Sequence, residues 1–246
     1  MKNMTTAQTG HLELVAFDAN DIVAVAGFYQ QLTGWERVRE IDDWITLQVP
    51  DGQQVGFQKV PDHLPSTWPT QERPQQFHLD LIVDGHEAAA GRAIELGATR
   101  LADGTSWITL ADPAGHPFDL CQRDGFGAGV GLFAVTLDAP DALALARFYA
   151  GLTGMDVTYE GPEGALLAGE VDGVAKSLMF QQIDDYNPPA WGDPTRPQQA
   201  HLDIIVDDLD AVGDHALQLG ATLLGSGGER FRGFVDPAGH PFDLSL

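Results

Sequence analysis

Apolar and polar positions along this chain alternate between two periods. Leu14–Phe17 is a short apolar run that ends at Asp18-Ala19-Asn20-Asp21. Ile22, Val25, Phe28, Tyr29 and Leu32 then recur at helical spacing. Asn20 or Asp21 can cap that helix through a side-chain oxygen, and Gly34 can end it in the left-handed conformation. Three strand-like stretches follow, Trp35–Ile41, Trp44–Val49 and Gln54–Val60. The rhythm then restarts with a strand at His78–Val83 and a helix at Glu87–Leu96, stopped by Gly97. Strands at Ala98–Leu101, Ser106–Ala111 and Pro117–Gln122 complete it. Each pass predicts one βαβββ unit.

The whole pattern is written twice. LVAFDANDIVAVAGFYQQLTG (14–34) returns as AVTLDAPDALALARFYAGLTG (134–154), an offset of 120. RPQQFHLDLIVD (73–84) matches RPQQAHLDIIVD (196–207) at 123, and ADPAGHPFDL (111–120) matches VDPAGHPFDL (235–244) at 124. Slow drift of the offset means short loop insertions between collinear copies. Two homologous domains are expected, 11–122 and 131–246, with the glycine-rich 123–130 as linker. The chain then holds four βαβββ units, an α+β arrangement.

Composition narrows the function classes. With 43% hydrophobic and 20% charged residues in 246, the chain can bury its cores without staples. The net charge of −23 argues against nucleic acid and against an anionic membrane surface. It favours neutral or cationic small molecules as ligands. No apolar run is long enough to span a bilayer, and the N-terminus has no signal-peptide core, so a cytoplasmic protein is expected. Cys121 is the single cysteine, which removes intramolecular disulfides and cysteine-based zinc sites. No nucleophile–base–orienter set and no phosphate-cradling glycine loop is visible.

Four features together carry a resemblance. They are the doubled βαβββ unit, Phe-Tyr late in the first helix, His-x-Asp on the fifth strand, and Asp-Pro-x-Gly before the last strand. They resemble the vicinal oxygen chelate superfamily, which includes glyoxalase I, extradiol dioxygenases, fosfomycin-modifying enzymes and bleomycin-resistance proteins. The resemblance covers nearly the whole chain. It implies two tandem glyoxalase-like domains, each a pair of βαβββ units forming a curved mixed sheet around a concave pocket, with helices outside. Related single-domain proteins often pair as dimers. A tandem chain can make that pairing internally, so a monomer, or at most a weak homodimer, is expected.

Strand alternation selects the residues for that pocket. Leu79, Leu81 and Val83 share one apolar face of the fifth strand, and His78, Asp80 and Ile82 share the other. Phe118 and Leu120 oppose Asp119 and Cys121 on the last strand. With apolar faces toward the helices, His78, Asp80 and Asp119 face the pocket, and His201, Asp203 and Asp243 repeat them. The resemblance implies four metal-ligand positions. The fifth-strand position falls on His78 and His201, the eighth-strand position on Asp119 and Asp243, and the fourth-strand position near Gln58 and Gln181. The first-strand position falls near Leu14 and Ala134, which cannot bind a metal. Imidazole and carboxylate suit Zn, Ni, Mn or Fe. Residues in a His-x-Asp pair stand about 6.5–7 Å apart along a strand, which suits a water-bridged pair better than two ligands on one ion.

The favoured expectation is therefore a pocket that binds a small organic molecule without a complete metal site. The alternative is a metal-dependent lyase, isomerase or dioxygenase acting on vicinal oxygens. Trp68 and Trp191 lie on matching proline-rich loops, 61–76 and 184–199, which either cover a sheet edge or close the pocket with the tryptophans stacked on the ligand. Arg73 and Arg196 close those loops and can neutralise Asp80 and Asp203 or hold an anionic ligand. His116 and His240 read as turn residues. His11, His63, His86 and His215 have no counterpart in the other copy and are expected to be exposed. Phe28-Tyr29 and Phe148-Tyr149 read as helix packing.

Overall fold

The computed structural model describes residues 9–190, 193–225 and 227–246. The first unit is β1 (His11–Ala19), α1 (Ile22–Thr33), β2 (Glu36–Ile41), β3 (Trp44–Gln48) and β4 (Gln54–Lys59). The second is β5 (Phe77–Val83), α2 (His86–Glu95), β6 (Thr99–Asp103), β7 (Trp107–Ala111) and β8 (Pro117–Gln122). The third is β9 (Gly131–Ala139), α3 (Ala142–Thr153), β10 (Asp156–Gly161), β11 (Gly164–Val171) and β12 (Val174–Gln182). The fourth is β13 (Ala200–Ile205), α4 (Leu209–Leu219), β14 (Thr222–Leu223), β15 (Phe231–Val235) and β16 (Pro241–Ser245). Among the described residues no helix is long and apolar enough to cross a membrane.

Local signals set these elements. The Asp21 carboxylate accepts the Ala24 amide at 3.0 Å, which satisfies an orphan donor of α1. Gly34 ends α1 at φ 77°, its amide bonded to the Gln30 carbonyl. Asp141 and Gly154 do the same for α3. Helix α2 has no such side chain at its start. Instead the side-chain Oε1 of Gln122, a residue distant in sequence at the end of β8, accepts the Gly85 and His86 amides at 2.9 Å each.

Two curved, mixed eight-stranded sheets form, as expected, but the pairing of units differs from the expectation. One sheet runs β14-β15-β16-β13-β1-β4-β3-β2, and the other β10-β11-β12-β9-β5-β8-β7-β6. The first unit therefore shares a sheet with the fourth, and the second with the third. Each seam is antiparallel, with Ala16 opposite His201 and Thr136 opposite His78. The reason lies on the helix side. Units of one repeat meet there through a common apolar core, which leaves β1 and β5 free at their edges.

That core repeats closely. Tyr29 stacks on Phe57 at 5.5 Å and meets Phe118 of the other sheet edge-on at 5.9 Å. Tyr149 does likewise with Phe180 at 5.6 Å and Phe242 at 6.1 Å. The Phe-Tyr pairs are indeed packing residues, each burying a large ring between the sheets. Near the approximate twofold between repeats, Gln76 and Gln199 cap one another. The Gln76 amide donates to Gln199 Oε1 at 3.2 Å, and the Gln199 amide to Gln76 Oε1 at 3.0 Å. Their side-chain amides reach the Pro197 and Pro74 carbonyls.

Candidate functional site

Each sheet presents one polar cup on the face away from its helices. Parallel pairing of β5 with β8 puts Asp80 beside Asp119, and pairing of β13 with β16 puts Asp203 beside Asp243. His78 and His201 stand two residues earlier on the same faces. Candidate ligand atoms of His78, Asp80 and Asp119 all lie within 4.8 Å of one another, and so do those of His201, Asp203 and Asp243. The His-x-Asp separation is shorter than strand geometry alone suggests. His78 Nε2 lies 3.7 Å from Asp80 Oδ1, and His201 Nε2 lies 3.6 Å from Asp203 Oδ1. The side chains lean together, so one ion can reach both.

The β5 cup has a volume of about 250 Å³ and takes residues from both repeats. Trp68, Gln75, His78, Thr109, Asp119 and Gln181 line it. The Thr136 hydroxyl donates to Asp80 Oδ2, and Cys121 Sγ lies 3.8 Å from Asp80 Oδ1. His78 Nδ1 and Asp119 Oδ1 are buried with no hydrogen-bond partner. Burial pushes Asp119 above the usual carboxylate range and the Asp80 charge adds to this, while His78 opposes it. Burial and both carboxylates push the Cys121 thiol up, away from a nucleophilic thiolate.

The β13 cup, of about 240 Å³, is lined by Gln58, Gln198, His201, Phe231 and Asp243 among others. Here the imidazole has company. Gln198 Nε2 lies 3.2 Å from His201 Nδ1 and donates to Asp18 Oδ2 at 3.0 Å. The Trp44 ring sits 6.3 Å from His201. Burial holds His201 down to about 4, so it is neutral. Burial and then the Asp243 charge push Asp203 up to about 7. Burial pushes Asp243 up as well.

Other candidates fall in different places. Leu14 lies opposite Asp203 and Ala134 opposite Asp80, and neither carries a donor. Gln58 and Gln181 line the cups completed by the other repeat's histidine. Trp68 reaches the β5 cup. Trp191 lies outside the described residues. Arg73 does not reach the aspartates, because its Nε donates to the Pro65 carbonyl at 3.0 Å. Arg196 is likewise held by Asn187, the Pro188 carbonyl and Asp193. Both close their own loops.

The turn histidines are more than turn residues. Asp112 accepts the Ala114 and His116 amides, His116 Nδ1 at 3.1 Å and the Tyr29 hydroxyl at 3.3 Å. Burial opposes charge on Asp112, but His116 and these donors hold its carboxyl below the usual range. Asp236, His240 and Tyr149 repeat the network. His63 is buried rather than exposed, with Nε2 on the Ala114 carbonyl at 3.0 Å. Its loop needs that anchor, and Tyr186 supplies it in the other copy through the Ala238 carbonyl at 2.9 Å. His86 and His215 are half-buried on Gln122 and the Gly151 carbonyl, and only His11 of the four is exposed.

Sequence reasoning missed Thr136, Asp138 and Gln198. Asp138 is buried, accepts Gln75 Nε2 at 3.1 Å, and is pushed up to about 6 by burial, against the pull of His78. The signal was the Asp-Ala pair shared by both first strands, Asp18-Ala19 and Asp138-Ala139. A polar residue kept at the end of an apolar strand in both copies marks a buried partner.

The glyoxalase-like domain family model matches residues 14–121 and again 134–245. The chain belongs to the glyoxalase-like domain family. Among solved structures, glyoxalase I from Zea mays is similar at 16% identity, with a TM-score of 0.67, over 97% of this chain and 92% of that one. The cppA protein from Streptococcus pneumoniae is similar at 12% identity and a TM-score of 0.53, over 97% and 98%. At these identities the likeness is one of fold. No curated protein sequence matches the chain.

Proposed function

We propose that this glyoxalase-like chain holds a divalent metal in its β5 cup, on His78, Asp80 and Asp119, and binds a small molecule with adjacent oxygens beside it. The observation that carries this is the cluster itself, in which ligand atoms of His78, Asp80 and Asp119 lie within 4.8 Å of one another and the buried Asp119 Oδ1 has nothing to bond. Buried polar atoms normally find partners, and a cation beside one imidazole and two carboxylates supplies them. The donor set suits Zn, Ni, Mn or Fe. Asp80 fills the role that Ala134 cannot, with Thr136 fixing its second oxygen. A bound metal supplies Lewis-acid polarisation of the substrate's oxygens. Trp68 and Trp107 offer apolar surface at the rim, and Gln181 offers an amide from the other repeat.

For the β13 cup we favour metal-free binding of a neutral or cationic organic molecule. The Gln198 amide already sits on the His201 ring, and Phe231 lines the cup with Trp44 behind the imidazole. The test is elemental mass spectrometry on protein purified without chelator or affinity tag. One metal per chain is expected, lost in His78→Ala and kept in His201→Ala. No uptake from added Ni, Zn, Mn or Fe(II) would return both cups to metal-free binding, and equal loss in the two variants would overturn the assignment to the β5 cup alone.

A further inference from the structure

Away from both cups, a cleft of about 280 Å³ opens between the two sheets. His11, Glu13, Gln54, Asp172 and Lys176 are among the residues that line it. The chain has three lysines, Lys2, Lys59 and Lys176. Lys176 is only 8% exposed. β12 carries it on the same face as Leu178 and Phe180, which belong to the core. Its one hydrogen bond among the described residues goes to the Glu13 carbonyl at 2.8 Å, where β1 slips register. Among the described residues no carboxylate pairs with the ammonium; Glu13 and Asp51 act on it only at longer range.

The other repeat does the same structural job without a charge. Gln53 lies 123 residues before Lys176, and its side-chain amide donates to the Leu132 carbonyl at 3.3 Å, again between the two sheets. An amide is therefore enough to tie the strands together there. A buried ammonium costs desolvation that a glutamine does not. Lysine at this position calls for a second role, and the cleft gives it one.

We propose that Lys176 is a carbonyl-capturing amine, and that small neutral aldehydes or ketones entering the cleft condense with its Nζ to form an imine. The nitrogen lone pair adds to the carbonyl carbon, the carbonyl π pair moves to oxygen, and a proton passes from nitrogen to that oxygen. The carbinolamine then loses its hydroxyl with one proton as water, leaving a C=N bond. Nothing is oxidised or reduced. Burial without a paired carboxylate holds the ammonium below the ordinary lysine range, which raises the reactive fraction. A neutral carbonyl also escapes the repulsion that a chain of charge −23 exerts on anions.

The experiment treats the full chain with limiting propionaldehyde and cyanoborohydride, then maps the reduced adducts by peptide mass spectrometry. Exposed Lys59 and the α-amino group are internal references. Lys176 is expected to be alkylated about tenfold or more faster than Lys59. In urea that preference should vanish. Lys176→Gln, which copies Gln53, should fold and lose only the leading adduct. Lys59 reacting first in the folded chain would overturn the proposal. So would a Lys176 preference that persists in urea, because local sequence would then explain it.

Discussion

The two cups use the same strand positions and the same His-x-Asp and eighth-strand aspartate, yet they diverge around the imidazole. Opposite His78 stands Thr136, whose hydroxyl takes one oxygen of Asp80; opposite His201 stands Ala16, which can take nothing. Beside His201, Gln198 reaches both the ring and Asp18, whereas the matching Gln75 bonds Asp138. Trp44 crowds the β13 cup from β3, at a position that is Gly164 on β11 beside the β5 cup. One cup keeps ligand atoms unpaired, and the other engages its imidazole in hydrogen bonding. Duplication thus preserved the scaffold while a few side chains on neighbouring strands set the chemistry.

The scaffold should fail equally in both repeats. Asp112→Ala and Asp236→Ala each strip a buried histidine and a buried tyrosine hydroxyl of their partner. Each should cost about 3–5 kcal/mol in urea unfolding. A large difference between them would mean that the two anchors are not equivalent. The cups should not fail equally. His78→Ala should weaken metal binding by about 100-fold or more, while His201→Ala leaves it within error by calorimetry.

Smaller changes sharpen the contrast. Thr136→Ala copies Ala16 into the β5 cup and should weaken the metal about tenfold, with Thr136→Ser restoring it. Calorimetry of both variants decides whether the hydroxyl or the strand shape matters. The smallest effect concerns the loop anchors. Burial, and then the neighbouring His116, push His63 down to about 4, against the pull of the Ala114 carbonyl and Asp112. The unfolded histidine, near 6.5, takes up a proton first as pH falls, so stability is lost between about 6.5 and 4. His63→Tyr, which copies Tyr186, should flatten that acid limb and raise Tm at pH 5 relative to pH 8 by roughly 2–4 °C. Tyr186→His should steepen it, and a pH-independent shift in either variant would mean that packing outweighs titration.

Much was legible before the fold. The Asp21 cap, the Gly34 stop and the Ile22–Leu32 stripe specify α1 from local chemistry alone, because capping and periodicity act within one turn. Alternation placed His78, Asp80 and Asp119 on one polar face for the same reason. The burial of His63 was not legible, since its partner carbonyl lies 51 residues away on another turn. Nor were the arginines, whose loop carbonyls compete with distant aspartates and win by proximity.

The sequence by itself determined the four units, their duplication and the six residues of the two clusters. It could not determine which units share a sheet. FHLDLIVD and AHLDIIVD offer β1 nearly identical edges, so strand pattern and propensity cannot choose between them. The tertiary structure chose, because Tyr29, Phe118 and the Asp112 anchor lock the two units of a repeat through their helix-side core and leave their edge strands to the other repeat. That choice set Thr136 beside His78 and Ala16 beside His201, and so made two cups of different character from two copies of one pattern.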